Sequence, residues 1–297
     1  MRRQFLLLAL VAVTASGYSQ ITSMVTFGDS LSDTGNVNNL TFGASPGAGY
    51  FQGRYSNGPV WIENLASSRG LPMNPSRLGG TNYAHGGAQS GTGNVNVIIP
   101  NMLTQVSSYL GSNTPNASTL FTIFIGGNDY LNGATNPAVP VGNIQTAITN
   151  LYNAGARQFL VPGLPLLGYI PTYVGGPNQA GANALSAAHN SALQSMLGTL
   201  QGSLSGSSMI YLDVAAIFEN VRLNPGNFGL TNVTQPAFVN GTPVSNPDQY
   251  LFWDNIHPTR IGHQILGNAA IAAVPEPTTM VALGLGALAM LRRRRAR

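Results

Sequence analysis

Ser23-Met24-Val25-Thr26-Phe27-Gly28-Asp29-Ser30-Leu31-Ser32-Asp33-Thr34-Gly35-Asn36 is the stretch on which the fold turns. Its apolar start breaks at Gly28 into turn-forming residues, the pattern of a buried strand feeding a turn. Three later stretches repeat it. Leu120 to Ile125 ends in Gly126-Gly127-Asn128-Asp129, Gln158 to Val161 ends in Pro162-Gly163-Leu164-Pro165, and Met209 to Leu212 is closed by Asp213. All four are short and almost continuously apolar, as strands of a parallel sheet covered on both faces are. Between and after them, Val60 to Ser68, Val141 to Asn153, Ala182 to Leu200 and Thr259 to Ala272 carry apolar residues at helical spacing. Alternating strands and helices predict a three-layer α/β/α sandwich. The Gly-, Asn- and Pro-rich connections 38–58, 73–100 and 224–250 are candidate substrate walls.

The chain of 297 residues is long enough for one large domain, and no repeat or linker divides its middle. Only 7% of its residues are charged, and all 13 basic residues are Arg. Seven of these Arg lie in the first three and last six positions, so the formal charge of +4 belongs to the tails. Between roughly 20 and 273, six Arg face eight acids, which excludes a basic nucleic-acid surface. Cysteine is absent, which removes disulfides, thiolate metal sites and a Cys nucleophile.

The two ends read as addresses. Arg2 and Arg3, the apolar run Phe5 to Val13 and the small residues around Ala15, Ser16 and Gly17 form a secretory signal, residues 1–19. The last segment, 274–297, holds Val274-Pro275-Glu276-Pro277, an apolar run from Met280 to Leu291, and an Arg cluster. Twelve helical residues span about 18 Å against a bilayer core of about 30 Å, a marginal membrane crossing. The body, 20–273, is left as one domain.

Within it, four blocks carry chemistry. Ser30 sits where a strand turns into the next element, exposing a hydroxyl beside backbone N–H groups. Asp254 and His257, in Trp253-Asp254-Asn255-Ile256-His257-Pro258, are three residues apart, close enough for the carboxylate to orient the imidazole. Asn128 places an amide at the carboxyl end of a strand, where open parallel sheets meet their ligands. Asn82-Tyr83-Ala84-His85-Gly86-Gly87-Ala88 offers a backbone N–H with no side chain in the way. Taken singly, each has a plain structural use: an N-cap Ser, a capping Asp, a turn Asn, a glycine turn.

Together they resemble the GDSL, or SGNH, hydrolase family, whose landmarks occur in order over about residues 22–272. Gly53-Arg54-Tyr55-Ser56-Asn57-Gly58 adds likeness to its plant-type and autotransporter-type branch. The resemblance implies a flavodoxin-like sandwich and hydrolysis of carboxylic esters, whether lipid, acyl or acetyl, without a cofactor. By it, Ser30 is the nucleophile, His257 the base and Asp254 its orienter, with Ser30 N–H, Gly87 N–H and Asn128 as oxyanion donors. His85 departs from the small or apolar residue expected there and is a candidate pocket residue. The last segment resembles the PEP-CTERM sorting signal of Gram-negative bacteria. That likeness implies signal peptidase and an exosortase-type enzyme as processing partners, transient inner-membrane retention, and release to periplasm, surface or an extracellular polysaccharide matrix.

His189 and His263 read as structural, and four scattered His without Cys make no metal cluster. Asp33-Thr34-Gly35-Asn36 lacks the spaced carboxylates of a calcium loop. Asp29 and Asp129 read as turn residues bonded to backbone. Two rival functions share the motifs: acyl transfer with the same triad, and a catalytically idle matrix-binding protein.

Overall fold

The computed structural model describes residues 20–274; the proposed signal and the sorting tail from Pro275 onward lie outside the described residues. The four apolar runs are strands: β1 (Ser23–Gly28), β2 (Thr119–Phe124), β3 (Gln158–Pro162) and β4 (Ser208–Leu212). They pair in parallel in that order. Val25, Phe27, Phe121, Ile123, Phe159 and Val161 enter the core on one face of the sheet. Met24, Leu120, Phe124, Leu160 and Leu212 enter it on the other. Alternate side chains therefore both need apolar partners, which explains runs without polar alternation.

Helices cover both faces. On the first lie α2 (Met102–Leu110), α3 (Ala138–Asn153) and α4 (Gln179–Ser203). On the second lie α1 (Trp61–Ser68), α5 (Val214–Leu223) and α6 (Arg260–Ala273). The result is the three-layer α/β/α sandwich expected. Helix starts are chemically marked: Glu63 accepts the Val60 N–H before α1, Asp213 accepts from Ala216 in α5, and Thr259 accepts from Gly262 in α6. The spacing-based reading found α1, α3, α4 and α6; α2 and α5 are additions of the structure.

The free edge of β1 is lined by residues 81–85. Thr26 N–H donates to Thr81 O, while Tyr83 and His85 N–H donate to Thr26 O and Gly28 O. Counted as a rudimentary second strand, this segment gives the order 2-1-3-4-5 of a flavodoxin-like sheet. The change of direction then falls between β1 and β2, so the turns after those two strands flank one crevice. The connection 224–250 carries its own small strands, with Tyr250–Phe252 paired to Asn232–Pro236.

Phe121 is fully buried in β2, its ring against Tyr109 and Phe159. Phe121→Ala should cost roughly 3–5 kcal/mol of unfolding free energy, read from urea denaturation. A loss under about 1 kcal/mol would show that the surrounding helices close the gap.

Candidate active site

Gly28 closes β1 where no side chain fits: a Cβ there would lie 2.4 Å from the Phe124 carbonyl oxygen of β2. Gln105 of α2 clamps this glycine from the other side. Its Oε1 accepts the Gly28 N–H at 3.0 Å and its Nε2 donates to Gly28 O at 2.9 Å. Ser30 follows from this fixed point, and its hydroxyl meets a partner from the far end of the chain. Ser30 Oγ lies 2.8 Å from His257 Nε2. On the opposite side of the ring, His257 Nδ1 is 2.7 Å from Asp254 Oδ2 and 3.0 Å from Oδ1. Asp254 Oδ1 also accepts the backbone N–H groups of Ile256 and His257, at 2.8 and 2.7 Å. The three-residue interval is thus a turn wrapped around its own carboxylate, and Trp253 N–H to His257 O at 2.7 Å shuts it.

This arrangement can move a proton. With Nδ1–H donating to the carboxylate, Nε2 presents its lone pair to the serine hydroxyl. Burial pushes Asp254 up, but the His257 charge and the donors from His257 and Ile256 outweigh it and hold the carboxyl down to about 2. Asp254 therefore stays ionised at any working pH.

The candidate oxyanion donors differ in what they are already bonded to. The Gly86 N–H is engaged, donating to Asp33 Oδ2 at 2.9 Å. The N–H groups of Ser30 and Gly87 have no acceptor among the described residues. Asn128 uses one amide hydrogen on Ala88 O at 3.0 Å, which leaves the other available and ties its turn to the Gly86-Gly87-Ala88 loop. Asp33, read from sequence only as a poor calcium ligand, accepts from Gly35, Asn36 and Val37 as well as Gly86. Its carboxylate fixes the glycine loop against the Ser30 turn. Only the spacing to Gly35 and Asn36 hinted at that role.

From Ser30 and Asn128 an apolar slot runs between the sheet and the helices of its second face. Leu31, Leu131, Leu164, Ile170, Phe218 and Phe252 line it, around about 580 Å³ of atom-free space with its open mouth included. His85 does not line it. Its Nδ1–H donates to Tyr83 O at 2.8 Å, and the ring is buried facing Asp33, which corrects the pocket placement. Burial lowers its basicity, against the pull of Asp33. Backbone pairing along β1 takes residue 85 behind the glycine loop rather than into the slot. His189 bonds Tyr130 Oη through Nδ1 at 3.0 Å, and His263 Nδ1 accepts the Trp61 N–H at 3.3 Å. Burial pushes them down to about 4 and about 3, so both are neutral core residues. Asp129 accepts the Ser90 N–H and hydroxyl, at 3.0 and 2.6 Å. No motif or spacing points to Tyr50, whose hydroxyl reaches Asp254 Oδ2 at 2.7 Å from 204 positions away.

Comparison with known proteins names the family. Residues 24–270 match the family of GDSL-like lipases/acylhydrolases, and residues 273–295 match the PEP-CTERM protein-sorting motif. A GDSL esterase/lipase of Arabidopsis thaliana is 31% identical, over 86% of this chain and 83% of its own length. The phosphatidylcholine-sterol acyltransferase of Aeromonas hydrophila is 27% identical, over 89% of this chain and 94% of its own. A solved lipolytic G-D-S-L family protein from Veillonella parvula superposes with a TM-score of 0.51 at 14% identity, covering 84% of this chain and 96% of that one; this likeness speaks for the fold. The chain belongs to the GDSL-like lipase/acylhydrolase family, a family of carboxylic ester hydrolases, and carries a signal for export with exosortase processing.

The residue before Ser30 sets a pH dependence of stability. Burial pushes the Asp29 carboxyl up to about 7, against the Leu31 N–H and the His257 charge. From about pH 4 to about 7 the folded protein keeps a proton that the unfolded chain has released, so stability falls as pH rises through that window. Asp29→Asn removes this proton. Its melting temperature, followed by calorimetry, should gain on the wild type progressively from about pH 4 to about pH 7 and hold that gain above it. A difference that stays constant with pH would mean that Asp29 is ionised throughout.

Proposed function

We propose that the chain is an exported serine esterase that hydrolyses esters of apolar acyl chains through an acyl-enzyme on Ser30. One observation carries this reading: a hydroxyl, an imidazole and a carboxylate in unbroken hydrogen-bonded sequence, opening directly onto an apolar slot. His257 Nε2 takes the Ser30 proton as Oγ bonds to the ester carbonyl carbon. The electron pair displaced onto the carbonyl oxygen is met by the N–H groups of Ser30 and Gly87 and the free amide hydrogen of Asn128. As the tetrahedral centre collapses, the C–O bond to the alcohol breaks and His257 returns the proton to it. Water then attacks the acyl-Ser30 ester with His257 again as base, which releases the acid and restores the serine hydroxyl. Asp254 keeps the ring oriented and stabilises its charged form.

The division of the chain supports a secreted setting. In this reading residues 1–19 are a leader removed by signal peptidase, 20–273 the hydrolase, and 274–297 the sorting segment. An exosortase-type cut near Pro275-Glu276-Pro277 then frees the enzyme from transient inner-membrane retention, for the cell surface or a polysaccharide matrix. A second reading, acyl transfer, draws support from the Aeromonas acyltransferase relative. An alcohol then replaces water in the second half-reaction, with every other step unchanged.

The test is the full chain on p-nitrophenyl esters from acetate to palmitate, with Ser30→Ala and Asn128→Ala. Burying each added methylene contributes about 0.8 kcal/mol, so kcat/KM should climb roughly fourfold per added methylene until the slot is full. Ser30→Ala should abolish turnover, and Asn128→Ala should lower it roughly a hundred- to a thousandfold. Acetate as the best substrate would overturn the apolar-chain assignment, and turnover surviving Ser30→Ala would overturn the nucleophile. Adding an alcohol acceptor separates the two readings by the share of acyl groups recovered as new ester.

A further inference from the structure

Asp254 Oδ2 serves two donors. His257 Nδ1 lies 2.7 Å from it, and the Tyr50 hydroxyl donates to it at the same distance. The other oxygen takes two backbone N–H groups. Tyr50 comes from the connection 38–58, whose position relative to the triad is otherwise set by packing. That packing is specific. The Tyr50 ring makes edge-to-face contacts with Phe238, Tyr55 and Trp253, at centroid distances of 5.6, 6.3 and 6.4 Å. Phe238 in turn stacks on Trp253 at 4.9 Å and 11°, and its N–H donates to Trp253 O at 2.7 Å. Gly49 makes the approach feasible: its backbone is left-handed, with φ of 87°, and a Cβ there would meet the Phe238 ring at 2.3 Å. Three separate segments thus brace one phenol against the carboxylate.

We propose that Tyr50 is a positioning residue of the catalytic machinery: its hydroxyl shares Asp254 Oδ2 with His257, and by that sharing sets how strongly Asp254 supports the imidazolium. Burial and the neighbouring Asp254 push the phenol above its usual range, so it remains a donor throughout the working pH range. When His257 accepts the Ser30 proton, Nδ1–H pulls harder on Oδ2, and the Tyr50 O–H competes for the same oxygen. A carboxylate relieved of part of its charge in this way is a weaker partner for the imidazolium. The brace also makes the triad sensitive to the two connections that wall the site, because Tyr50 cannot keep its hydrogen bond if Phe238 or Gly49 moves away. Tyr50 is not among the residues lining the slot at Ser30, so its influence runs through Asp254.

The groups facing His257 and Asp254 can be named. Asp29 and His263 interact with the His257 charge, and the Tyr55 ring tilts against the imidazole at 5.1 Å. Tyr55 keeps its own hydroxyl on Ser45, at 3.1 Å. Tyr50 is the one side-chain donor besides His257 on Asp254 among the described residues. Removing its hydroxyl should strengthen the carboxylate's hold on the imidazolium and move the titration of His257 to higher pH.

The proposal rests on His257 acting as the base, and the primary readout does not need turnover. The full chain has four His, so long-range proton–nitrogen spectra resolve their titrations, and the loss of one signal in His257→Gln identifies His257. In Tyr50→Phe, which keeps the ring and its three aromatic contacts, the His257 midpoint should rise by roughly half to one pH unit. The acid limb of kcat/KM for the p-nitrophenyl esters should move to higher pH with it, by the same amount. A midpoint that stays put or falls overturns the proposal, whatever happens to activity or melting temperature, because a merely structural tyrosine would leave it in place. Turnover retained in Ser30→Ala would overturn the serine mechanism instead and leave this midpoint test standing.

Discussion

A serine hydroxyl is a poor nucleophile until a base stands within hydrogen-bond reach, so the site depends on a 2.8 Å contact between residues 227 positions apart. Closing so long a loop costs chain entropy, and the fold recovers it around the contact rather than at it. Ser30 is fixed by β1, held in register with β2 and clamped at Gly28 by Gln105. His257 is fixed by the start of α6, which is laced to the segment before α1. Ser56 Oγ donates to Pro258 O at 2.9 Å, Arg260 N–H to Asn57 Oδ1 at 2.7 Å, and Trp61 N–H to the ring of His263. Such lacing accounts for the Arg54-Tyr55-Ser56-Asn57 stretch by its work at the other end of the chain.

Amides do much of this positioning. Asn36 Nδ2 donates to the carbonyls of both Asn82 and Ala84, and Asn82 Nδ2 donates to Ser32 O. Gln105, 1% exposed inside α2, replaces a strand partner for Gly28. A neutral amide satisfies one donor and one acceptor without the desolvation cost of an ion, so a chain with so few charges can still fix a polar turn inside its core.

Local order made the strands and the site motifs legible. Each strand ends at its own turn or capping residue, glycine, proline or, for β4, Asp213, and the Asp254–His257 turn is bonded within itself, so a short window of sequence holds the needed information. What escaped reading is made by distant partners. α2 hid because its buried face includes Gln105, a residue that counts as polar in any periodicity. The edge segment 81–85 has only three hydrogen bonds to β1 and no apolar run to announce it. His85 looked like a pocket residue because its place is decided by which edge of β1 the backbone follows. Tyr50 carried no signal, since nothing near it in sequence mentions Asp254.

The eight acids of the body divide in a way that fits this economy of charge. Glu63, Glu219 and Asp248 pair with Arg54, Arg222 and Arg260, and Asp213 caps α5. The remaining four, Asp29, Asp33, Asp129 and Asp254, stand at the carboxyl end of the sheet, and their hydrogen bonds come from backbone N–H groups, Ser90, Tyr50 and His257. Neutral donors hold each of these carboxyl groups in position without adding a second buried charge. Of the four, Asp254 meets the imidazole of His257 directly, and the hydroxyl of Tyr50 acts on the oxygen that the histidine itself uses.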